Sequence, residues 1–368
     1  MQNFSSITGK SNIFFKWVLS GLIFLLLVVS CKKKEANSLI QKTVEQPAVS
    51  SYHRSSVFPQ THANLGGIVS EFVRVMYQDK KQHIWFGTNG DGLARYNGET
   101  LEQFAEETGI GTAVRSIIEA KDGTMWFGSS RGLTKYDGEK FTTYDTTAGL
   151  IDSEVWTIAI DNDQTIWVGS VGGVSKFDGK TFKTFEVPKA HIPNTKPILS
   201  EKRICDILID IKGNIWFATD GYGISKFNGK TFKFFTKKNG LADNHVADIF
   251  EDREGNIWIG TFFGGISKYD GKSFINYTKN RVIEGMETYN FSEDTNGNIW
   301  FSAENHGVYK FDGTTFTQFT TKDGLATNTI QSIFTDAKGQ LWFGTWEGIS
   351  LYDGKTFMNV SEKESWTN

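Results

Sequence analysis

Residues 239–274 read NGLADNHVADIFEDREGNIWIGTFFGGISKYDGKSF, and the fold is decided by this stretch. Four short segments within it carry the β-branched and aromatic residues that suit strands: His245–Glu251, Asn256–Gly260, Gly265–Tyr269 and Ser273–Tyr277. Asp270-Gly271 separates the last two and is a hairpin signal, because a tight primed turn needs positive φ at its centre. Asp252 closes the first segment, where its carboxylate can accept hydrogen bonds from the turn amides that follow. The stretch therefore encodes a four-stranded antiparallel meander, with strands A to D.

The unit recurs along the chain. Trp258 belongs to a series formed with Trp85, Trp126, Trp167, Trp216, Trp300 and Trp342, at spacings of 41, 41, 49, 42, 42 and 42 residues. An aromatic-Asn/Asp-Gly triplet repeats in phase with it, from Tyr96-Asn97-Gly98 to Tyr352-Asp353-Gly354. The closing Asp recurs at 79, 161, 210, 294 and 336, and only the second copy replaces it, with Ala120. A period near 42 is the blade length of four-stranded propellers. One such sheet cannot cover both its faces, and stacking copies around an axis buries the Trp and Ile rows. The sequence thus predicts an all-β chain with a single seven-bladed β-propeller of four-stranded antiparallel blades over residues 63–361. The first copy opens on strand A (Phe72–Tyr77) and the last ends on strand D (Phe357–Val360), so closure needs no exchanged strand. Val57-Phe58 stays open as an added edge strand.

Composition agrees. Aromatics make up 14% of the 368 residues, with 38 Gly and only 5 Pro, which fits short strands and tight turns. The net charge of −3 carries no basic stripe, so nucleic acid is not an expected partner. There are two cysteines: Cys205 sits in the apolar run ICDILI and reads as a small buried hydrophobe. Residues 1–30 read as an export signal, with Lys10 and Lys16 ahead of the apolar run WVLSGLIFLLLVV, which is too short for a membrane span of ~20 residues. Val28-Val29-Ser30-Cys31 resembles the lipobox of bacterial lipoproteins. That resemblance implies acylation of Cys31, a polar tether over residues 31–62 and lipid anchoring in the cell envelope, on the periplasmic side or the cell surface. Residues 362–368 form a short tail.

Segments such as 239–274 resemble the two-component regulator propeller repeat, and the likeness spans about residues 66–360. In that family such propellers form extracytoplasmic sensor regions of hybrid histidine kinases, many of which detect glycan fragments. This sequence departs from that plan, and the seven repeats are expected to stand without a second propeller, sandwich domain, membrane helix or kinase. The resemblance therefore implies a sensory propeller that binds a small glycan or peptide, or an envelope signalling protein, with its output lost or delegated to a partner; the propeller is expected to be a monomer.

The two faces of the disc differ in sequence. The A–B turns keep one length and the C–D turns always carry Gly, whereas the B–C loops and D–A links vary. An insertion at about 186–200 holds Pro188, Pro193, Pro197 and His191. Function concentrates on variable connections of a rigid frame, so the site is expected on the B–C/D–A face. The ligand-binding candidates there are Asp91, Arg131, Asp220, Tyr222, Phe262, Phe263, Glu304, His306, Trp346 and Glu347, because exposed aromatics beside charged groups suit a sugar or a peptide. No metal-ligand spacing, phosphate loop or Gly-x-Ser-x-Gly elbow occurs, and no cofactor is expected. A rival reading rests on resemblance to seven-bladed lyases that open cyclic peptide antibiotics with a loop-face His and a divalent cation; it would use His306, Glu304 and His245, with His191 nearby. A third makes the propeller a scaffold for another envelope protein.

Overall fold

A computed structural model describes residues 72–104, 108–278 and 283–360. The export signal, Cys31, the tether, Val57-Phe58 and the tail lie outside the described residues. Among the described residues, twenty-eight strands form seven antiparallel sheets, each made of four consecutive strands from one repeat. In blade 5 the strands are Val246–Glu251, Ile257–Thr261, Gly265–Tyr269 and Phe274–Asn276, so the order read from the sequence holds and only strand ends move. The C–D turn of blade 1 has Gly98 at its centre with a φ of 96°, the positive value the sequence reading required there. The Asn97 side chain also accepts hydrogen bonds from the amides of Glu99 and Thr100.

Every strand B is buried along its whole length. An indole tolerates this only if its N–H finds an acceptor. In six blades that acceptor is the Asp closing strand A, with Trp Nε1 to Asp Oδ2 distances of 2.8–3.1 Å. One carboxylate thus ties the turn amides and the core tryptophan together. Each hydrophobic cluster joins one blade to the next: Trp85 and Leu93 of blade 1 pack on Val114, Ile117 and Phe127 of blade 2. The seventh cluster unites Trp342 and Ile349 of blade 7 with Val73 and Phe86 of blade 1, closing the ring without strand exchange.

The A strands stand nearest the axis: Val73–Gln78, Val114–Glu119, Val155–Ile160, Ile204–Ile209, Val246–Glu251, Thr288–Glu293 and Ile330–Thr335. Their third residues form a belt that links blade to blade. Ser116 Oγ accepts from Ile158 N, Thr157 Oγ1 from Ile207 N, and Asp206 Oδ2 from Ile249 N. Asp248 Oδ2 accepts from Asn290 N and Phe291 N, and Ser332 Oγ reaches Val73 O. The belt crowds the facing position on strand B, which is Gly in five blades. A Cβ on Gly344 would stand 2.2 Å from Ser332 Oγ and 2.6 Å from Val73 O.

Candidate functional site

The channel opens on the B–C/D–A face into a cavity of about 430 Å³. Its wall is a ring of the second residues of the seven A strands: Arg74, Arg115, Trp156, Cys205, Ala247, Tyr289 and Gln331. Just above them stand Phe72 from the lead into blade 1, Arg203 and Glu287 from the ends of D–A links, and Phe262, Glu304 and Trp346 from B–C loops. A larger groove of about 1680 Å³ runs along blades 6, 7 and 1. It is built largely from the repeated turns and includes Asp294, Trp300, Asp336 and Trp342, whose carboxylates and indoles already satisfy one another. The channel mouth is the chemically distinct place.

Three guanidiniums surround one indole there. The Cζ atoms of Arg203, Arg115 and Arg74 lie 4.0, 4.9 and 5.5 Å from the Trp156 ring. Arg115 pairs with Glu154 at 3.0 Å, and Arg203, only 3% exposed, pairs with Asp220 at 3.7 Å. Arg74 donates to the neutral Gln331 Oε1 at 3.2 Å. Burial, and next the charge of Arg115, hold the Arg74 guanidinium below its ordinary pKa. Trp156 Nε1 and Arg203 Nε are buried with no hydrogen-bond partner. Such orphaned donors each cost about 1–3 kcal/mol unless something in the cavity accepts from them.

The opposite wall is acidic. Tyr289 donates its hydroxyl hydrogen bond to the Glu304 carboxylate, and Gln331 Nε2 donates to the Tyr289 hydroxyl oxygen at 3.4 Å. Burial, then this bond to Glu304, raises the Tyr289 hydroxyl pKa, and burial with the Glu304 charge raises Glu287. Deeper still, Asp206 and Asp248 of the belt share a hydrogen bond. Burial first, then the Asp248 charge, pushes Asp206 up to about 8, and burial also raises Asp248.

Of the residues proposed from the sequence, Phe262, Glu304 and Trp346 meet at this mouth. Phe262 lies 5.5 Å from the Arg203 guanidinium, and Trp346, 51% exposed, packs on Phe72 at 5.1 Å. Phe263 stands on the rim, edge-on to His245. Tyr222 sits under Lys189 of the insertion at 4.6 Å. Asp91, Arg131 and Glu347 are exposed loop residues outside the cavity. Asp220 is a correction: it is wholly buried and accepts from the amides of Ile198 and Leu199, so it seats the insertion and is shut off from any ligand. The histidines do not assemble as the lyase reading requires. His306 Nδ1 faces Glu284 at 3.6 Å, while Glu304 is engaged by Tyr289. Both ring nitrogens of His245 face acceptors, Asp243 Oδ1 at 2.8 Å and Lys196 O at 3.0 Å. His191 is exposed on the insertion.

Arg74, Arg115, Trp156, Arg203, Tyr289 and the Asp206–Asp248 pair escaped the sequence reading, which looked for function in loops. The signal was present in the strands. The first residue of strand A is apolar in six copies, whereas the second runs Arg, Arg, Trp, Cys, Ala, Tyr, Gln. Diversity inside the innermost strand marks the channel wall.

The sequence pattern of the two component regulator propeller family matches residues 67–90, 108–131, 149–172, 240–263 and 324–347. No protein of curated function matches the sequence. Among solved structures, the chain is similar to the extracellular domain of BT3049, described as a hybrid two component system of B. thetaiotaomicron, at 20% identity and a TM-score of 0.66, covering 78% of this chain and 40% of that one. The extracellular domain of BT4673 from the same organism gives 22% identity and a TM-score of 0.59, covering 76% and 38%. The chain thus spans about two fifths of the length of these domains. Virginiamycin B lyase from Staphylococcus aureus gives 14% identity and a TM-score of 0.59, covering 79% and 97%. Among the described residues, no helix is long and apolar enough to cross a membrane.

Proposed function

Because the chain belongs to the two-component regulator propeller family, we propose that it is a sensory propeller that captures a small glycan or peptide at the mouth of its channel. The observation that carries this is the convergence, around one cavity of about 430 Å³, of loop aromatics with polar side chains from the A strands. A volume in the range of small-molecule sites, with apolar faces and a few oriented polar groups, is what such ligands require. The rigid ring supplies a preformed wall, so little ordering entropy is lost on binding. Acylation at Cys31 would hold the propeller at the envelope membrane, where a separate signalling protein reads the bound state.

The test is a thermal-stabilisation screen of oligosaccharides and short peptides against the mature protein, repeated with Phe262→Ala and Trp346→Ala. A ligand that binds here loses its shift in both variants. A shift indifferent to both places the site elsewhere. Fractionation of a Cys31→Ser variant tests the anchor, with release from the membrane expected.

A further inference from the structure

Resting on the reading of the channel mouth as the ligand site, we infer that its occupant bears a carboxylate, seated between the guanidiniums of Arg74 and Arg203 and the indole N–H of Trp156. The charges are the first ground. Two of the three arginines have carboxylate partners at ion-pair distance, Glu154 for Arg115 and Asp220 for Arg203, and Arg74 has only a neutral amide. Glu287 acts on Arg74 only from beyond ion-pair distance. One partly buried positive charge is thus left without a matched anion, beside two others of the same sign. Burying a charge is tolerated when it is paired and hydrogen-bonded, and a single anionic group would complete this set.

The second ground is independent of charge. Trp156 Nε1 and Arg203 Nε are donors without partners, on residues that line the cavity, and Arg203 is almost wholly buried. A carboxylate carries two oxygens with about four acceptor sites, which suits several convergent N–H donors. The acidic wall of Glu287, Glu304 and Tyr289 faces this group with acceptors, matched to hydroxyls or an ammonium on the rest of the ligand. Two sources share this chemistry: an acid sugar and the C-terminus of a short peptide.

Digalacturonate with its carboxyl-reduced counterpart, and a dipeptide with its C-terminal amide, separate the possibilities by isothermal titration against wild type and Arg74→Gln. The carboxylate form of one pair should bind at least about tenfold more tightly than its neutral form, as expected for a desolvated charge-assisted bond. Arg74→Gln should abolish that preference while neutral-form binding survives. The pair showing the preference identifies the source. Equal binding of both forms, abolished by Phe262→Ala, overturns the carboxylate and leaves the sensor reading standing. A preference that persists in Arg74→Gln overturns the assignment of the subsite. Absence of binding by every probe, with the same variants silent, overturns both.

Discussion

Replacing Asp248 by Asn should flatten the pH dependence of stability. In the fold Asp206 keeps its proton to about pH 8, because burial and then the Asp248 charge oppose its ionisation. The unfolded chain gives up that proton near pH 3.8. A carboxyl whose folded-state pKa is raised contributes stability fully below its unfolded value and loses it as pH rises through the folded one. Stability therefore falls between about pH 4 and pH 8, at up to roughly 1.4 kcal/mol per pH unit, or about 5 kcal/mol at most. In Asp248→Asn the amide oxygen can still accept from Asn290 N and Phe291 N, while its N–H₂ donates to an ionised Asp206. Asp206 still receives Thr157 Oγ1, Ile207 N and Ile249 N. Burial of Asp206 persists, so about half of the fall should disappear, a relative gain on the order of 2–3 kcal/mol at pH 8 over pH 5. Urea unfolding followed by tryptophan fluorescence across pH 5 to 8 measures it. Superimposable profiles for the variant and the wild type would show that the shared proton is not there. Asp206→Asn is the contrast: an amide facing Ile249 N with a second donor should destabilise at every pH.

The ring itself yields further tests by the same unfolding assay. Trp258→Ala should cost on the order of 3–5 kcal/mol, since it empties the space between two blades and removes the indole donor to Asp252. Gly344→Ala should cost about 1–3 kcal/mol by forcing Ser332 and Val73 apart at the closing interface. In blade 2, Ala120→Asp supplies the carboxylate that the six other blades offer their tryptophan, and should stabilise by about 1 kcal/mol. A neutral or destabilising result there would detach the Asp–Trp bond from stability.

The architecture was legible because it is written seven times. Trp, Asp and the Gly of each C–D turn answer to local backbone and packing needs that are the same in every copy, so their period exposes the blade. The site was legible only in part. Phe262, Glu304 and Trp346 could be placed on one face, since loop residues announce themselves by breaking the repeat. Asp220 breaks it too, yet it serves to pin Ile198 and Leu199 of the insertion, and only coordinates separate a carboxylate facing in from one facing out. The arginines around Trp156 come from three blades, and their convergence depends on ring closure. No linear window contains it.

Closure has a kinetic side. Contacts between neighbouring blades mostly join residues about 40 positions apart, as in the bond from Lys80 N to Glu119, whereas Ser332 meets Val73 across 259 positions. By chain-entropy scaling the longer loop costs only about 1.6 kcal/mol more than the shorter. Six junctions can therefore zip locally and the last one snaps shut late, after an arc has formed. Until then Val73, Phe86, Trp342 and Ile349 at its two ends lie bare, and at high concentration they can join the ends of a second arc as readily as each other.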